Sequence, residues 1–241
     1  MKTISYGNTD IGRTRSTNQD SIFVDNENGC FVVADGMGGH RGGDIASQKA
    51  VQTIAEKTKN KYFPIKNFLL DLVTSCNKNI FDIAAENEEL SGMGTTMTVC
   101  LLENKQLCIA HVGDSRAYLI HEQQIFQLTK DHTLVQEKIN LGIYSREQAL
   151  KDPQKNVLIK TVGYEESVEI DYYQVSIEPK DLILICSDGL FGKLSDLEIL
   201  EIISKQKINE TTIKTAVNEL INAANLNGGQ DNISAILIAL I

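Results

Sequence analysis

Between Gln106 and Leu128, three runs rich in β-branched residues (near 106–112, 116–120 and 124–128) follow one another. Only Gly113-Asp114-Ser115 and Glu122-Gln123 separate them. Breaks that short leave no room for a crossover connection, so the strands are expected to run antiparallel as a meander. Further strands are expected near 21–24, 30–34, 95–102, 168–177, 181–186 and 232–239, from apolar runs of strand length. Helices fall in blocks outside the meander. Ile45, Ala46, Ala50, Val51, Ile54 and Ala55 repeat at helical spacing behind a cap at Asp44. Phe68, Leu69, Leu72, Val73, Cys76, Ile80 and Ile83 make a second stripe. Ser195-Asp-Leu-Glu198 reads as a capping box opening a third helix, and Thr212 to Ala224 reads as a fourth. Blocks of strands and helices, without regular alternation, favour an α+β fold with antiparallel sheet covered by helices.

No repeat, low-complexity run or linker divides the 241 residues, which read as one domain. The longest apolar stretches, such as Leu182–Cys186 and Ile236–Ile241, fall well short of the roughly 20 residues a membrane helix needs. Met1 to Asp10 lacks the apolar core of a signal peptide. Five scattered cysteines without a Cys-x-x-Cys pair fit reduced thiols and a cytoplasmic setting. The net charge of −9, from 23 basic and 32 acidic residues with no basic tract, argues against nucleic acid as a partner.

Four acids stand out by position. Asp35 closes Cys-Phe-Val-Val-Ala and precedes Gly36; Asp114 follows Leu-Cys-Ile-Ala-His-Val-Gly. Asp188 follows Leu-Ile-Leu-Ile-Cys-Ser and precedes Gly189; Asp231 opens the C-terminal apolar run after Gly228-Gly229-Gln230. A single Asp-Gly is more often a turn than a ligand. Four of them, each joined to a hydrophobic strand, would place four carboxylates at sheet edges. If those edges converge, repulsion raises the pKa values unless cations neutralise the cluster. Hard divalent ions such as Mg²⁺ and Mn²⁺ suit such oxygen donors.

Gly36, Gly38, Gly39, Gly42 and Gly43 crowd directly behind Asp35. No Gly-Lys-Ser/Thr follows, and Arg41 takes the third glycine position of a dinucleotide fingerprint, so a phosphate-cradling loop is disfavoured. A tightly bent backbone turning a carbonyl beside Asp35 towards a metal is the better reading, with a plain strand-to-helix turn as the alternative.

Two such metals about 3.5–4 Å apart would lower the pKa of a bridging water and clamp phosphoryl oxygens, with no covalent enzyme intermediate. Rival chemistries lack their residues. A Cys-x5-Arg phosphate loop is missing, because Gly36, Asp82, Gln106, Asp114 and Gly192 occupy the arginine positions. There is no Asp-x-Asp-x-Thr, no clustered histidine set for zinc and no Gly-x-Ser-x-Gly elbow. Arg15, in Gly12-Arg-Thr-Arg-Ser-Thr-Asn-Gln-Asp20, is a candidate for gripping a phosphate through its guanidinium fork, although a lone arginine is more often a solvated surface residue.

Seven elements now line up in order: Gly12-x-x-Arg15-x-x-Asn18-Gln19-Asp20, Val33-Ala-Asp35-Gly-Met-Gly-Gly-His40, Gly92-Met-Gly-Thr-Thr96, His111-Val-Gly-Asp114-Ser-Arg116, Leu128-Thr-Lys-Asp-His132, Cys186-Ser-Asp188-Gly-Leu190 and Gly229-Gln-Asp231-Asn232. Together they span nearly the whole chain. The sequence resembles the metal-dependent serine/threonine protein phosphatases of the protein phosphatase 2C family, in their compact bacterial form.

The resemblance implies a four-layer α-β-β-α sandwich, two antiparallel sheets flanked by helix pairs, with two Mn²⁺ or Mg²⁺ ions at one end and a looser third. By position, Asp35 would bridge both core ions, Gly36 would lend a carbonyl, Asp188 and Asp231 would hold the first ion, and Asp114 would help hold the third. Arg15 would bind the substrate phosphate, and Asp20 and Asn232 would orient metal-bound water. Animal members often carry glutamate at Gln19 and a histidine at Met37, the proposed acid for the leaving group. With Met37 there and His40 three positions on, the acid is unassigned. A flap is expected between about Asn140 and Lys160. The implied substrates are phosphoserine and phosphothreonine proteins, acted on by a cytoplasmic monomer opposing a serine/threonine kinase, with no sensor domain encoded. The alternatives are a switch dedicated to one phosphorylated transcription regulator, or a non-catalytic module that would have lost Asp35, Asp188 or Asp231.

Overall fold

The computed structural model describes residues 3–205 and 207–241, with the main chain alone at 39–41. One antiparallel sheet is ordered β1-β11-β10-β7-β8, from β1 (Thr3–Asp10), β11 (Ile233–Leu240), β10 (Leu182–Cys186), β7 (Arg116–His121) and β8 (Gln124–Gln127). The other is ordered β2-β3-β5-β6-β9, from β2 (Asp20–Asp25), β3 (Cys30–Met37), β5 (Met97–Glu103), β6 (Gln106–Val112) and β9 (Asp171–Ser176), with the short β4 (Gly94–Thr95) added to β3. Helices α1 (Gly39–Lys57) and α2 (Ile65–Glu86) cover the second sheet. The first is covered by α5 (Asp188–Phe191), α6 (Asp196–Ser204) and α7 (Thr212–Leu226). Two short helices, α3 (Leu134–Asn140) and α4 (Arg146–Lys151), precede β9. The result is the expected four-layer sandwich.

The central strands read as unbroken apolar runs because both of their faces are buried. Along β11, Ile236, Ile238 and Leu240 point between the sheets, while Ile233, Ala235, Leu237 and Ala239 point to the helices. On β3, Phe31 and Val33 face the sheet interface and Cys30, Val32 and Ala34 face α1 and α2. A one-residue slip of either strand would exchange these two sets, so the sandwich fixes the register. All five cysteines are unpaired and buried, as the sequence implied.

Several local expectations need correction. Asp44 does not cap the first helix: the chain turns at Gly38 (φ 128), the helix starts at Gly39, and Asp44 lies inside it. Nor does the backbone bend at Gly36, since β3 runs on to Met37. Glycine is required at 36 for clearance, because a Cβ there would sit 1.9 Å from the Gly43 carbonyl oxygen. Asp188 begins a single helical turn where a glycine turn was expected. Strand β1 went unforeseen because it is a half-exposed edge strand, TISYGNTD, with little apolar signal. The Ser195 capping box is present, with both reciprocal bonds made.

Truncating Ile236, which is fully buried between the sheets, to alanine should cost about 2–5 kcal/mol. Ser195→Ala should cost about 1 kcal/mol through the lost cap. Chemical denaturation midpoints of the two variants would check the ordering.

Candidate active site

Register alone explains why the acids meet. Asp20 at the start of β2 is paired with Asp35 near the end of β3, and Met97 on β5 is paired with Val112 at the end of β6. In the other sheet, Cys186 at the end of β10 stands opposite both Arg116 at the start of β7 and Ala235 near the start of β11. The β6–β7 turn, the β10–α5 junction and the approach to β11 therefore share one end of the sandwich. There an open cleft of about 580 Å³ is lined by Asp35, Asp114, Asp188 and Asp231, with Arg15, Gly36 and Asn232 among its other walls.

Loss of hydration, and then repulsion from neighbouring carboxylates, holds Asp35, Asp114 and Asp188 towards the protonated form. Asp35 is driven well above the ordinary range by burial, then by Asp20, Asp188, Asp114 and Asp231. Asp114 is likewise raised well above it, by burial and then Asp188. Asp188 is raised to about 7, by burial and then Asp231, and Asp20 to about 6, chiefly by burial. Asp20 Oδ2 accepts from the Ser187 hydroxyl at 2.7 Å, whereas its Oδ1 is buried with no hydrogen-bond partner. A repelling ring with an orphaned oxygen behind it is a set of donors suited to cations.

Among the described residues, no three His, Cys, Asp or Glu side chains gather tightly enough to enclose an ion by themselves. Mg²⁺ and Mn²⁺ need no such enclosure, since they keep several waters and take one or two carboxylates each.

The supporting contacts show how the loops are held. Arg15 Nη2 donates to Asp231 Oδ2 at 2.8 Å and is half-exposed at the rim. Asn232 spends its side chain on the Arg15 loop: Oδ1 accepts from Gln19 N–H (2.8 Å), and Nδ2 donates to the carbonyls of Ile11 (3.0 Å) and Thr17 (3.1 Å). Both amide hydrogens are thus committed to backbone, and the structure gives Asn232 the work of setting that loop. Gly12 (φ +82) allows the loop to lie against β11, since a Cβ there would come within 2.2 Å of the Asp231 carbonyl oxygen.

The Asp114 turn is pinned from two sides. His132 donates its N–H to the Gly113 carbonyl (2.8 Å), and its Nδ1 accepts from Gly113 N–H (3.1 Å). Thr96 and Ser115 share a hydroxyl contact of 2.8 Å. Arg116 clamps Asp131 through Nε (2.9 Å) and Nη2 (2.7 Å), with its guanidinium 3.7 Å above the Phe191 ring just beyond Asp188. These contacts give the His111–Arg116 and Leu128–His132 elements a structural purpose.

Two wall residues were covered by sequence reasoning only as members of the flap expected near 140–160. Asn156 donates from Nδ2 to Asp188 Oδ2 at 3.3 Å, and Leu158 lies beside it. Nothing in their spacing marks them. Met37 also lines the cleft, with its sulfur accepting from the Thr161 hydroxyl at 3.4 Å. The His40 side chain lies outside the described residues.

The raised pKa values fix the sign of a pH effect. A carboxyl whose folded pKa exceeds its unfolded value costs nothing below about pH 4 and destabilises increasingly as pH climbs through the folded value. In chelator, the unfolding temperature should therefore fall between pH 5 and pH 7.5, the window opened by Asp20 and Asp188. Added Mn²⁺ should raise it more at pH 7.5 than at pH 5, by differential scanning fluorimetry.

Comparison with known proteins agrees with this geometry. The family model "Protein phosphatase 2C" matches residues 11–237. The serine/threonine phosphatase stp of Listeria monocytogenes is 38% identical over 238 residues, covering 95% of this chain and 93% of the relative. The crystal structure of the Mycobacterium tuberculosis serine/threonine phosphatase PstP/Ppp superposes with a TM-score of 0.91 at 30% identity, covering 99% of this chain and 98% of that one. A structure of the PstP catalytic domain in complex with two manganese ions gives a TM-score of 0.88 at 30% identity, covering 98% and 97% of the two chains. The chain belongs to the protein phosphatase 2C family.

Proposed function

We propose that Asp35, Gly36, Asp114, Asp188 and Asp231 hold the Mn²⁺ or Mg²⁺ ions through which this protein serine/threonine phosphatase hydrolyses phosphoserine and phosphothreonine monoesters. The observation that carries the assignment is the delivery of four carboxylates, from four separate strand ends, to one cleft with Arg15 at its rim. Asp35 faces Asp20, Asp188, Asp114 and Asp231 closely enough to feel them all, which suits a ligand shared between two ions. Asp188 and Asp231 belong to the first ion, and Asp114, on its own turn, to a third. When bound, such ions lower the pKa of water and offset charge on the phosphoryl oxygens.

The rest falls to side chains. Arg15 exchanges its bond to Asp231 for the substrate phosphate, presenting a planar fork to two oxygens. Asp20 is paired with Asp35 across β2 and β3, and its partnerless Oδ1 would be available to orient metal-bound water. Asn232 fixes the loop that carries Arg15. Among the described residues lining the cleft there is no cysteine, histidine or lysine, which supports water as the attacking group.

We read the chain as one catalytic domain with a flap over 140–160, which contains α4 and reaches the cleft through Asn156. Its partners are phosphoproteins made by a serine/threonine kinase of the same cytoplasm, and it acts as a monomer. The charge of −9 disfavours nucleic acid. Among the described residues no helix is long and apolar enough to cross a membrane.

Asp188→Asn should remove most Mn²⁺-dependent hydrolysis of a phosphothreonine peptide while leaving the circular dichroism unchanged; full turnover at saturating Mn²⁺ would reject the ligand role. Arg15→Ala should raise KM more than it lowers kcat, as expected for loss of ground-state phosphate binding. A fall in kcat alone in steady-state assays would assign Arg15 another role.

A further inference from the structure

After a turn over 153–156, the chain passes beside the cleft through Val157 and Leu158 to a bend at Ile159, and it is paired along one edge only. Leu134 N–H donates to the Val157 carbonyl (2.9 Å), and Ile159 N–H donates to the His132 carbonyl (2.9 Å), flanking an antiparallel bridge between Thr133 and Leu158. In such a bridge the main-chain groups of the central residue point away from the partner segment. The N–H and C=O of Leu158 accordingly have no hydrogen-bond partner among the described residues. The Leu158 side chain lies in the cleft wall, next to the Asn156 amide on Asp188. Val157 and Ile159, on the opposite face, are 45% and 46% exposed.

We propose that this open edge is the docking site for the substrate polypeptide: a segment next to the phosphorylated residue lies extended alongside Leu158 and exchanges two main-chain hydrogen bonds with it. The proposal rests on the phosphatase reading above and deepens it. Continuity selects the occupant, because a chain whose phosphate reaches Arg15 and the carboxylates passes the two residues that line the cleft from this edge. Charge points the same way. Lys155, exposed and near enough to act on the Asp188 carboxylate, places a positive charge beside this edge that suits a phosphorylated peptide. Main-chain pairing supplies affinity with little demand on sequence, while Val157, Leu158 and Ile159 offer apolar contact to alternate side chains.

The test leaves the enzyme untouched. A short phosphothreonine peptide is N-methylated at one residue at a time, and kcat/KM is measured with Mn²⁺ beside that of an aryl phosphate. One position should lose about tenfold, the scale of a removed hydrogen bond that strands its acceptor. The neighbouring residues, whose N–H groups do not meet Leu158, should tolerate the methyl. An ester replacing the amide at the sensitive position removes the N–H without added bulk and should reproduce the loss. Equal losses at successive positions, or none anywhere, would overturn the proposal while leaving the phosphatase reading intact. Concentration-dependent dimers in sedimentation, together with indifference to N-methylation, would assign the edge to a second copy and likewise overturn it. No turnover of either the unmodified peptide or the aryl phosphate would overturn the phosphatase reading, and the docking with it.

Discussion

Like charges brought to one place must be held there by something else, and most of the local structure around the cleft serves that need. Asp35 is fixed through its backbone: its N–H donates to the Thr96 hydroxyl (3.0 Å), and its carbonyl accepts from Thr96 N–H (2.8 Å). The Asp114 turn is held by His132, and the Asp231 segment by Gly12 and Arg13, whose N–H donates to the Gly229 carbonyl at 2.7 Å. In each case main-chain contacts carry the position, and at Asp231 the carboxylate also accepts from Arg15 and from the Asn232 N–H. Electrostatic tension is thereby stored where a cation relieves it, and the hydrophobic layers bear the cost.

Close backbone approach is the second device. Cβ atoms at Gly36 or Gly189 would stand 1.9 Å from the carbonyl oxygens of Gly43 and Asn232 respectively. The glycines beside the aspartates let strand ends and helix starts touch, so the acids project from packed backbone and not from free loops. A side chain on a strand end moves less than one on a loop, which is what a site with exacting oxygen positions requires.

Much of this was legible in the sequence, and the parts that were not share a cause. Asp35, Asp114, Asp188 and Asp231 stood out together, because an acid beside a buried run is commonplace once and informative when it recurs at four of them. The strand runs were readable because both faces are buried. Asp44 was misjudged as a cap because glycines suggest a loop, whereas here Gly39, Gly42 and Gly43 sit inside the first turns of α1. The role of Asn232 was hidden because an asparagine beside a ligand looks like a water-orienting group until its amide is found bonded to backbone 215 and 221 positions away. Asn156 and Leu158 fell within the expected flap, but nothing singled them out there: their placement follows from tertiary contacts of a segment whose own pattern is irregular.

One feature of the topology reaches beyond the finished fold. The first strand pairs with the last, Thr3 opposite Leu240 and Asp10 opposite Ile233, and the ion pair at the rim joins residue 15 to residue 231. A nascent chain therefore presents Arg15 and Asp35 before it has the Asp231 carboxylate or the strand that aligns it. Until β11 has been made and has joined β1, the cleft lacks one of its walls.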